Sequence, residues 1–413
     1  MMLPNGWKKI KLGEICNKIG SGSTPKGGRE VYLNAGIPII RSQNVLNGFL
    51  DLNDVAFISD EQHSKMKGTW VHPNDILLNI TGASIGRSCV VPATVKTANV
   101  NQHVCIIRLK ECADACYVCN LILSKDVQKQ IELLSVGGGR QGLNFQQIAS
   151  FSFLLPPLEE QKKIAATLSV WDTAIEKMEK LLEAKIVQKN SLTYKLIENQ
   201  YDVKFKLGNV TIDKSKWEKK SLKEFGSFSK GQGIKRDEAH SGSIAAVRYG
   251  EIYTTHNDYI KEFHSFISED VAKKSKLLKK GDLLFSCSGE TKEDIGKCVA
   301  FVSNVVAYAG GDIIIFSPQI ECDSKYLGFL LNARSINKQK YGLGQGDSIV
   351  HISAESIGRL TVFLPSYPEQ KAIADVLSAI DDELFLLKQQ LENYKRQKQG
   401  LMQKLLTGQW RVK

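Results

Sequence analysis

The hydrophobic positions of this chain follow two different patterns. Short apolar runs bounded by Gly, Pro, Ser and Asn predict strands joined by turns. Long segments without such breaks carry an apolar residue at every third or fourth position, which predicts amphipathic helices. Short runs come first and a long segment follows, and the same order then recurs. The chain is therefore expected to contain two mixed regions, each followed by one long helix.

The predicted strands of the two mixed regions correspond to one another. They lie at residues 37–40, 76–80, 104–109 and 151–155 in the first region and at 245–247, 283–287, 313–316 and 360–364 in the second. Each region also contains one helical segment, at residues 113–134 and 324–339 respectively. The predicted fold class is α+β, with two globular α/β domains of similar size.

The long segments carry a seven-residue hydrophobic repeat, which predicts a coiled coil. The repeat positions are Ile164, Leu168, Trp171, Ile175, Met178, Leu182, Leu192 and Leu196, and then Ile373, Leu377, Ile380, Leu384, Leu387, Leu391, Tyr394, Leu401 and Leu405; Gln161, Lys185, Lys189, Gln370 and Lys398 are polar members. The second mixed region connects the end of one helix to the start of the other, so an antiparallel pair needs only short connections. The alternative is that each helix lies along its own domain.

These patterns predict four segments. Residues 1–157 and 201–363 form the globular domains, and residues 158–200 and 364–413 form the helices. At about 1.5 Å per residue, each helix would be roughly 60 Å long. We expect a rod with one domain at each end, so that the helices act as a ruler.

Short motifs also recur, about 210 residues apart. Trp7-Lys8-Lys9-Ile10-Lys11-Leu12-Gly13-Glu14-Ile15 returns as Trp217-Glu218-Lys219-Lys220-Ser221-Leu222-Lys223-Glu224-Phe225, the segment 75–82 returns as 282–289, and Leu155-Pro156-Pro157 with Glu160-Gln161 returns as Leu364-Pro365-Ser366 with Glu369-Gln370. Two divergent copies imply an internal pseudo-twofold axis. Such a protein suits a ligand with two similar but non-identical halves, of which DNA is the commonest.

The composition agrees with a polyanionic partner. The net charge is +11, although a basic protein without such a partner is the alternative. No stretch is long and apolar enough to predict a membrane span, and no signal peptide is recognisable, so we expect a cytoplasmic location. In that compartment the nine Cys are expected to be mostly thiols.

No enzyme site is predicted. The segment 289–298 superficially resembles a phosphate-binding P-loop, but it has six residues between its glycines and ends in Cys298. Cys112, Cys116 and Cys119 have helical spacing, but zinc needs a fourth ligand. Their counterparts in the second copy, Cys322, Tyr326 and Phe329, are typical of core positions. No set of residues with the spacing of a metal site or a catalytic triad is recognisable.

The candidate DNA contacts are polar loop residues at matching places in the two copies, because Arg, Gln and Asn can read base edges and Lys and Ser suit phosphates. They are Ser21, Ser23, Thr24, Lys26, Arg41, Ser42, Gln43, Asn44, Arg87, Arg140 and Gln141 in the first copy, and Lys230, Gln232, Lys235, Arg248, Tyr249 and Gln345 in the second. Arginine occurs at the same place in both copies, as Arg41 and Arg248, whereas the residues that follow it differ. This pattern is typical of one shared DNA contact next to residues that bind different bases. For each residue, the alternative role is stabilisation of the loop.

With these residues in view, the chain resembles the specificity subunit of a type I restriction–modification system along its full length. The resemblance rests on Gly6-Trp7 with Leu12-Gly13-Glu14-Ile15, on Ile37-Pro38-Ile39-Ile40-Arg41, on Thr81-Gly82-Ala83-Ser84-Ile85-Gly86 and on the two Leu-Pro helix starts. The second copy departs from it where alanine replaces Pro38 and by an insertion between Gly289 and Gly296. These departures leave the fold intact and imply a different half-site.

The resemblance implies two target-recognition domains that each read half of a split DNA sequence, with the helices setting the gap. It also implies a non-catalytic subunit that binds two methyltransferase subunits, which use S-adenosylmethionine to methylate adenine. Motor-nuclease subunits using ATP and magnesium would be further partners. Two other hypotheses are the specificity region of a fused restriction or methylation enzyme and a coiled-coil scaffold that binds proteins alone.

Overall fold

The computed structural model describes residues 4–25, 27, 31–135, 142–199, 201, 203–289, 295–343 and 350–412. The chain forms two compact units. The first comprises Met1–Lys180 and Gln389–Lys413, and the second comprises Leu181–Lys388. Each unit thus contains one mixed domain together with parts of both long helices.

The first unit contains the first mixed domain. Its strands are β1 (Lys8–Lys11), β2 (Cys16–Ser21), β3 (Ile37–Ile40), β4 (Ala56–Ile58), β5 (Trp70–Val71), β6 (Ile76–Asn79), β7 (Ser88–Val90), β8 (Ala98–Val100), β9 (Val104–Leu109) and β10 (Ser152–Leu155). Its short helices are α1 (Asp60–Lys65), α2 (Ala115–Leu123), α3 (Lys125–Ser135) and α4 (Phe145–Ala149), and the long helix α5 (Leu158–Thr193) begins in this unit. The strands form sheets with the orders β2-β9-β6-β7, β4-β3-β8-β5 and β1-β10.

The second unit contains the second mixed domain. Its strands are β11 (Lys204–Leu207), β12 (Val210–Asp213), β13 (Glu218–Ser221), β14 (Gly226–Lys230), β15 (Ile244–Val247), β16 (Ser265–Ile267), β17 (Lys276–Leu277), β18 (Leu283–Ser286), β19 (Ser288–Gly289), β20 (Cys298–Ala300), β21 (Ala307–Ala309), β22 (Ile313–Pro318), β23 (Val350–His351) and β24 (Thr361–Leu364). Its helices are α6 (Tyr249–Thr254), α7 (Glu269–Ala272), α8 (Ser324–Leu331), α9 (Arg334–Leu343), α10 (Ala354–Gly358) and the start of α11 (Tyr367–Leu406). The sheet orders β14-β22-β18-β20, β16-β15-β21-β17 and β13-β24 repeat those of the first unit.

The central strands of each domain are buried on both faces. In β6, Ile76 and Leu78 pack against the helices, whereas Leu77 packs in the core shared with the neighbouring sheet. In β18, Leu283 and Leu284 divide between two cores in the same way. Alternate side chains of a strand point to opposite faces, so continuous apolar runs are what this three-layer arrangement requires.

In each domain, the segment predicted to form one helix contains two helices in the structure. In the first domain, Ser124 has extended backbone dihedrals (φ −69°, ψ 152°) and separates α2 from α3. Its hydroxyl donates to the Leu121 carbonyl at 2.6 Å, which closes the end of α2. In the second domain, Asn332 ends α8 before α9 begins. The prediction of single helices over 113–134 and 324–339 was wrong, because these breaks allow both short helices to pack on the same sheet.

The two long helices pair antiparallel within each unit. In the first unit, Lys398 Nζ contacts Asp172 Oδ1 at 2.5 Å and Lys395 Nζ contacts Glu179 Oε1 at 2.9 Å. In the second unit, Lys185 contacts Glu383 at 2.8 Å and Lys189 contacts Asp381 at 2.7 Å. Residue numbers rise along one helix as they fall along the other, which confirms the predicted antiparallel coiled coil. Among the described residues, no helix combines the length and hydropathy that crossing a membrane requires.

Candidate nucleic-acid interface

A Glu-Gln pair at the start of each long helix anchors the adjoining domain. Glu160 accepts a hydrogen bond from the indole N–H of Trp7 at 3.1 Å, and Glu369 accepts one from Trp217 at 3.3 Å. Glu160 is also bound by both Nε and Nη2 of Arg411, at 2.5 and 2.7 Å. The recurring Trp and Glu of the sequence are therefore partners within each unit.

The glutamine of each pair also binds the adjoining domain. The Glu-Gln pair at the start of each long helix, with its bonding partners, is called the frame of that domain below. Gln161 and Gln370 are almost fully buried, with exposures of 1% and 2%. Each accepts a bond from a backbone N–H just before a short helix and donates one to a proline carbonyl, at 2.9 Å in every case. The partners are Asp114 and Pro156 for Gln161, and Asp323 and Pro365 for Gln370. The two domains therefore carry their loops on the same local scaffold.

The loop after β3 holds Arg41. The Arg41 guanidinium donates from Nη2 to the carbonyl oxygen of Asp54 at 3.0 Å and lies over the Tyr32 ring at 5.9 Å. The Asp54 carboxylate is exposed and accepts a bond from Gln43 Nε2 at 2.7 Å. Asn44 closes the loop by accepting from the Arg41 backbone N–H at 3.0 Å.

Asn44 is 2% exposed, and its amide donates to the carbonyl groups of Asp51 and Asp54. An amide whose two N–H groups both donate inside the loop has no donor left for a base edge. This geometry gives Asn44 the loop-stabilising role that the sequence left as the alternative.

The equivalent loop of the second domain follows β15 and holds Arg248 differently. Arg248 Nε donates to the hydroxyl of Ser265 at 2.9 Å, and the guanidinium lies 3.4 Å from Glu251 Oε1. Glu251 also accepts from the backbone N–H of Arg248 at 3.2 Å, as Asn44 does in the first domain. Ser265 is fully buried, so this anchor is shielded from water.

A concave surface of about 740 Å³ surrounds Arg248 in the second unit. Tyr249 lines it, is 41% exposed, and lies edge-to-face with Tyr253. Arg236, His240 and His264 also line it, and they are not among the contacts predicted from the sequence. His264 is placed there by the pairing of β15 with β16, a long-range contact that gives no local signal. Arg236 directly follows the selected Lys235 and could have been found by its charge.

The other predicted residues of the first domain lie on β2 or in loops. Ser21 ends β2 and is half-buried, whereas Ser23, Thr24 and Arg87 are exposed. The hydroxyl of Thr24 donates to the side-chain oxygen of Gln102. The half-buried Ser42 accepts a bond at its carbonyl from Asn79 at 2.8 Å, which ties the arginine loop to β6.

In the second domain, Lys230, Gln232 and Lys235 are exposed on and beyond the end of β14. Glycine is required beside them and at the matching place in the first domain. A Cβ at Gly231 would lie 2.0 Å from the Gly310 carbonyl oxygen, and one at Gly22 would lie 1.7 Å from that of Val100. These close backbone approaches explain why glycine recurs there. Lys26, Arg140, Gln141 and Gln345 lie outside the described residues.

The alternative metal and phosphate sites find no support in the described part of the chain. Cys119 is buried beside Ser88, and burial raises the pKa of its thiol to about 12, so it is protonated at neutral pH. No cluster of three or more His, Cys, Asp or Glu suitable for a metal occurs among the described residues. Cys298, at the end of the P-loop-like segment, is fully buried in β20, where it could not help to hold magnesium.

One further histidine lies behind the arginine loop of the second domain. His256 is 4% exposed, and its ring centroid lies 5.8 Å from that of His264. Burial lowers the pKa of His256 to about 4, although the nearby Glu251 opposes this shift. His256 is therefore neutral at physiological pH, and the positive charge of this loop comes from Arg248.

Comparisons with known proteins agree with this organisation. The profile of the type I restriction modification DNA specificity domain matches residues 4–186 and again residues 214–394. The type I restriction enzyme MjaVIII specificity subunit of Methanocaldococcus jannaschii is 24% identical over 433 residues, covering 100% of this chain and 95% of that protein. The putative MjaX specificity subunit of the same organism is also 24% identical, with coverage of 100% and 95%.

A solved structure has the same fold. The S subunit of the type I restriction–modification system from M. genitalium superposes with a TM-score of 0.62 at 17% identity, covering 98% of both chains. The two profile matches span most of the sequence and coincide with the two copies found in it. The chain therefore belongs to the family of type I restriction–modification specificity subunits and carries two DNA specificity domains.

Proposed function

We propose that each domain reads one half of a split DNA target. Residues 1–157 would read one half, and residues 201–363 the other. The observation that carries this proposal is the repeated scaffold with unlike loops: Gln161 and Gln370 make the same bonds, whereas Arg41 and Arg248 are held by different partners. Two domains with the same frame but different arginine loops are suited to two half-sites that are related but not identical.

The contact surface of this proposal consists of the two half-buried arginines and of exposed polar residues of the same domains. In the described part of the chain they are Arg41 with Ser23, Thr24, Gln43 and Arg87 in the first domain, and Arg248 with Lys230, Gln232, Lys235 and Tyr249 in the second. The cationic members would bind phosphates and the amide and hydroxyl groups would reach base edges. Ser21, Ser42, Lys26, Arg140, Gln141 and Gln345 stay candidates on sequence alone.

The helix segments 158–200 and 364–413 would set the length of the unread gap and bind two methyltransferase subunits. An antiparallel pair presents two related outer faces, one for each copy of a partner. Large apolar residues are exposed on these helices, with exposures of 67% at Val170 and Val187 and 62% at Leu386. These side chains would belong to the faces that the methyltransferase subunits cover.

Catalysis would belong to the partners. The methyltransferase subunits would bind S-adenosylmethionine and methylate adenine, and motor-nuclease subunits with ATP and magnesium could join the complex. This chain would supply the DNA sequence and the spacing, and it would act in the cytoplasm.

A domain exchange tests the assignment of half-sites. Residues 1–157 are replaced by the same region of a relative, and methylated adenines are mapped by single-molecule sequencing of host DNA. The exchange should change one half of the methylated sequence and leave the other half and the gap as they were. A change in both halves would contradict independent reading by the two domains.

A heptad deletion tests the role of the helices. Removing residues 175–181 and 384–390 together shortens the pair by about 10 Å, roughly the rise of three base pairs. The methylated sequence should keep both halves and change its gap, or methylation should be lost. Full methylation at the native gap would contradict the proposal that the helix pair sets the length of the gap.

A further inference from the structure

A buried lysine of the second unit joins both long helices to the recognition domain. Lys189 on α5 donates to Asp381 Oδ1 on α11 at 2.7 Å and to Asp258 Oδ2 of the domain at 2.8 Å. The three side chains are 19%, 8% and 12% exposed. The remaining oxygen of Asp258 accepts from Asn332 at 3.0 Å, so the cluster is well supplied with partners.

The internal repeat places a matching ion pair in the first unit. Lys398 corresponds to Lys189 and Asp172 to Asp381, with the same spacing by which Gln370 corresponds to Gln161. Lys398 Nζ lies 2.5 Å from Asp172 Oδ1. A charged pair that recurs at equivalent points of both copies belongs to the shared frame, not to one half-site.

The position of these lysines in the coiled coil gives them a specific consequence. Most seam positions are apolar, and apolar seams tolerate a slip of one heptad because each knob finds a similar hole. A slip in one direction would bring Lys189 opposite Lys388, and a slip in the other would bring it opposite Ala374. Either slip leaves Asp381 and the lysine unpaired in a buried place, which is strongly unfavourable.

We propose that Lys189, with Asp258 and Asp381, is a positioning residue that fixes the helix register and with it the gap between the half-sites. Lys398 and Asp172 have the same role in the first unit. Because Asp258 belongs to the domain, one ammonium group sets both the register of the helices and the seating of the second reader on them. This inference rests on the proposed function, in which the helix pair measures the gap.

Register and stability can be separated by removing the whole cluster. Losing one member leaves a buried charge unpaired, whereas neutralising all members together leaves no buried charge without a partner. The test variant is therefore the triple K189M/D258N/D381N. The matched control is K185M/E383Q, which neutralises the neighbouring and more exposed pair, whose side chains are 25% and 45% exposed. K189R keeps the charge and serves as the conservative variant.

The readout is the gap in methylated sequences. Each full-length variant replaces the native gene in its host, and methylated adenines are mapped across the genome, where both half-sites occur by chance at every gap. The native chain, K185M/E383Q and K189R should methylate one gap. The triple variant should keep both half-sites but raise methylation at other gaps by about tenfold or more, the factor that 1.4 kcal/mol of lost discrimination gives.

Two outcomes would overturn the inference. One is a triple variant with native thermal stability that still methylates only the native gap. The other is a control that spreads its gaps as widely as the triple variant. If the triple variant does not accumulate as a folded chain, K398M/D172N, at the pair whose aspartate is 50% exposed, carries the same expectation. A native chain that methylates no split sequence would contradict the proposed function itself, which separates the two failures.

Discussion

The two recognition domains are alike where they meet the helices and unlike where they hold their arginines. Gln161 and Gln370 make the same set of buried hydrogen bonds. The arginines differ in their partners. Arg41 donates an exposed hydrogen bond to the backbone carbonyl of Asp54, whereas Arg248 donates to the buried hydroxyl of Ser265. The comparison teaches that this frame is constrained by buried polar groups, each of which needs its partner, while the loops can exchange partners.

The strongest test of this comparison is to break the frame in both copies. Gln161→Met and Gln370→Met each leave a buried N–H and a buried C=O unpaired, which should lower the free energy of unfolding by about 2–5 kcal/mol. Urea unfolding followed by Trp fluorescence measures the loss. Gln403→Met, at an exposed position of α11, is the control. Losses no larger than that of the control would contradict a frame held by buried hydrogen bonds.

A buried lysine distinguishes the two cores. Lys340 is 1% exposed in the second domain, and Ile131 stands at the corresponding place in the first. Burial lowers the pKa of Lys340 from 10.5 to about 8. The unfolded state therefore binds the proton more tightly, and stability should fall as the pH drops from about 10.5 to 8 and stay low below that.

Replacing Lys340 by Ile should make the cores alike. Lys340→Ile should raise the free energy of unfolding at pH 7 by up to about 3 kcal/mol, the value of a pKa shift of this size. It should also flatten the dependence of stability on pH between 8 and 10.5, measured by urea unfolding at each pH. An equal rise after Lys338→Ile, at an exposed position on the opposite face of α9, would contradict this origin.

The arginines themselves should matter in both copies. Arg41→Ala and Arg248→Ala should each weaken binding to a duplex carrying the methylated sequence by about tenfold, because each removes a charge-assisted contact. Fluorescence anisotropy at several salt concentrations measures the loss. A reduced salt slope would identify a phosphate contact, and an unchanged slope would identify a base contact. Arg359→Ala, an exposed arginine paired with Glu355 on α10, is the charge-matched control.

The smallest effect should separate the two anchors. Asp54→Ala keeps the backbone carbonyl that holds Arg41 but removes an exposed carboxylate that lies 3.8 Å from Arg41 and binds Gln43. Because exposed ion pairs contribute little, this variant should change DNA affinity by less than about twofold. Ser265→Ala removes the hydroxyl that holds Arg248 inside the protein and should weaken binding a few-fold more than Asp54→Ala. The same anisotropy titration compares them. Equal effects would mean that the buried anchor orients its arginine no better than the exposed one.

The sequence predicted the parts of this protein whose signals are local or repeated. The strands at residues 37–40 and 104–109 match the structure because apolar runs between turn residues mark buried strands. The pairing of Trp7 with Glu160 and of Trp217 with Glu369 underlies motifs that the repeat had already revealed. The antiparallel helices followed from the heptads and the connection between them.

The rest depends on contacts between residues distant in sequence. Ser265 and Asp54 hold the arginines only because β15 pairs with β16 and β3 pairs with β4. The breaks at Ser124 and Asn332 interrupt patterns that are helical on both sides, so periodicity runs through them. Burial of the Asn44 amide likewise depends on carbonyl groups several residues away that turn back towards it.

The bonds at Glu160 have a consequence for how the chain is connected. Its carboxylate receives Trp7 from near the start of the described sequence and Arg411 from near the end of it. One carboxylate of the first unit therefore joins the segment before the first repeat to the segment after the second. Because the elements follow one another in the same order in both repeats, this bond links the last described element back to the first.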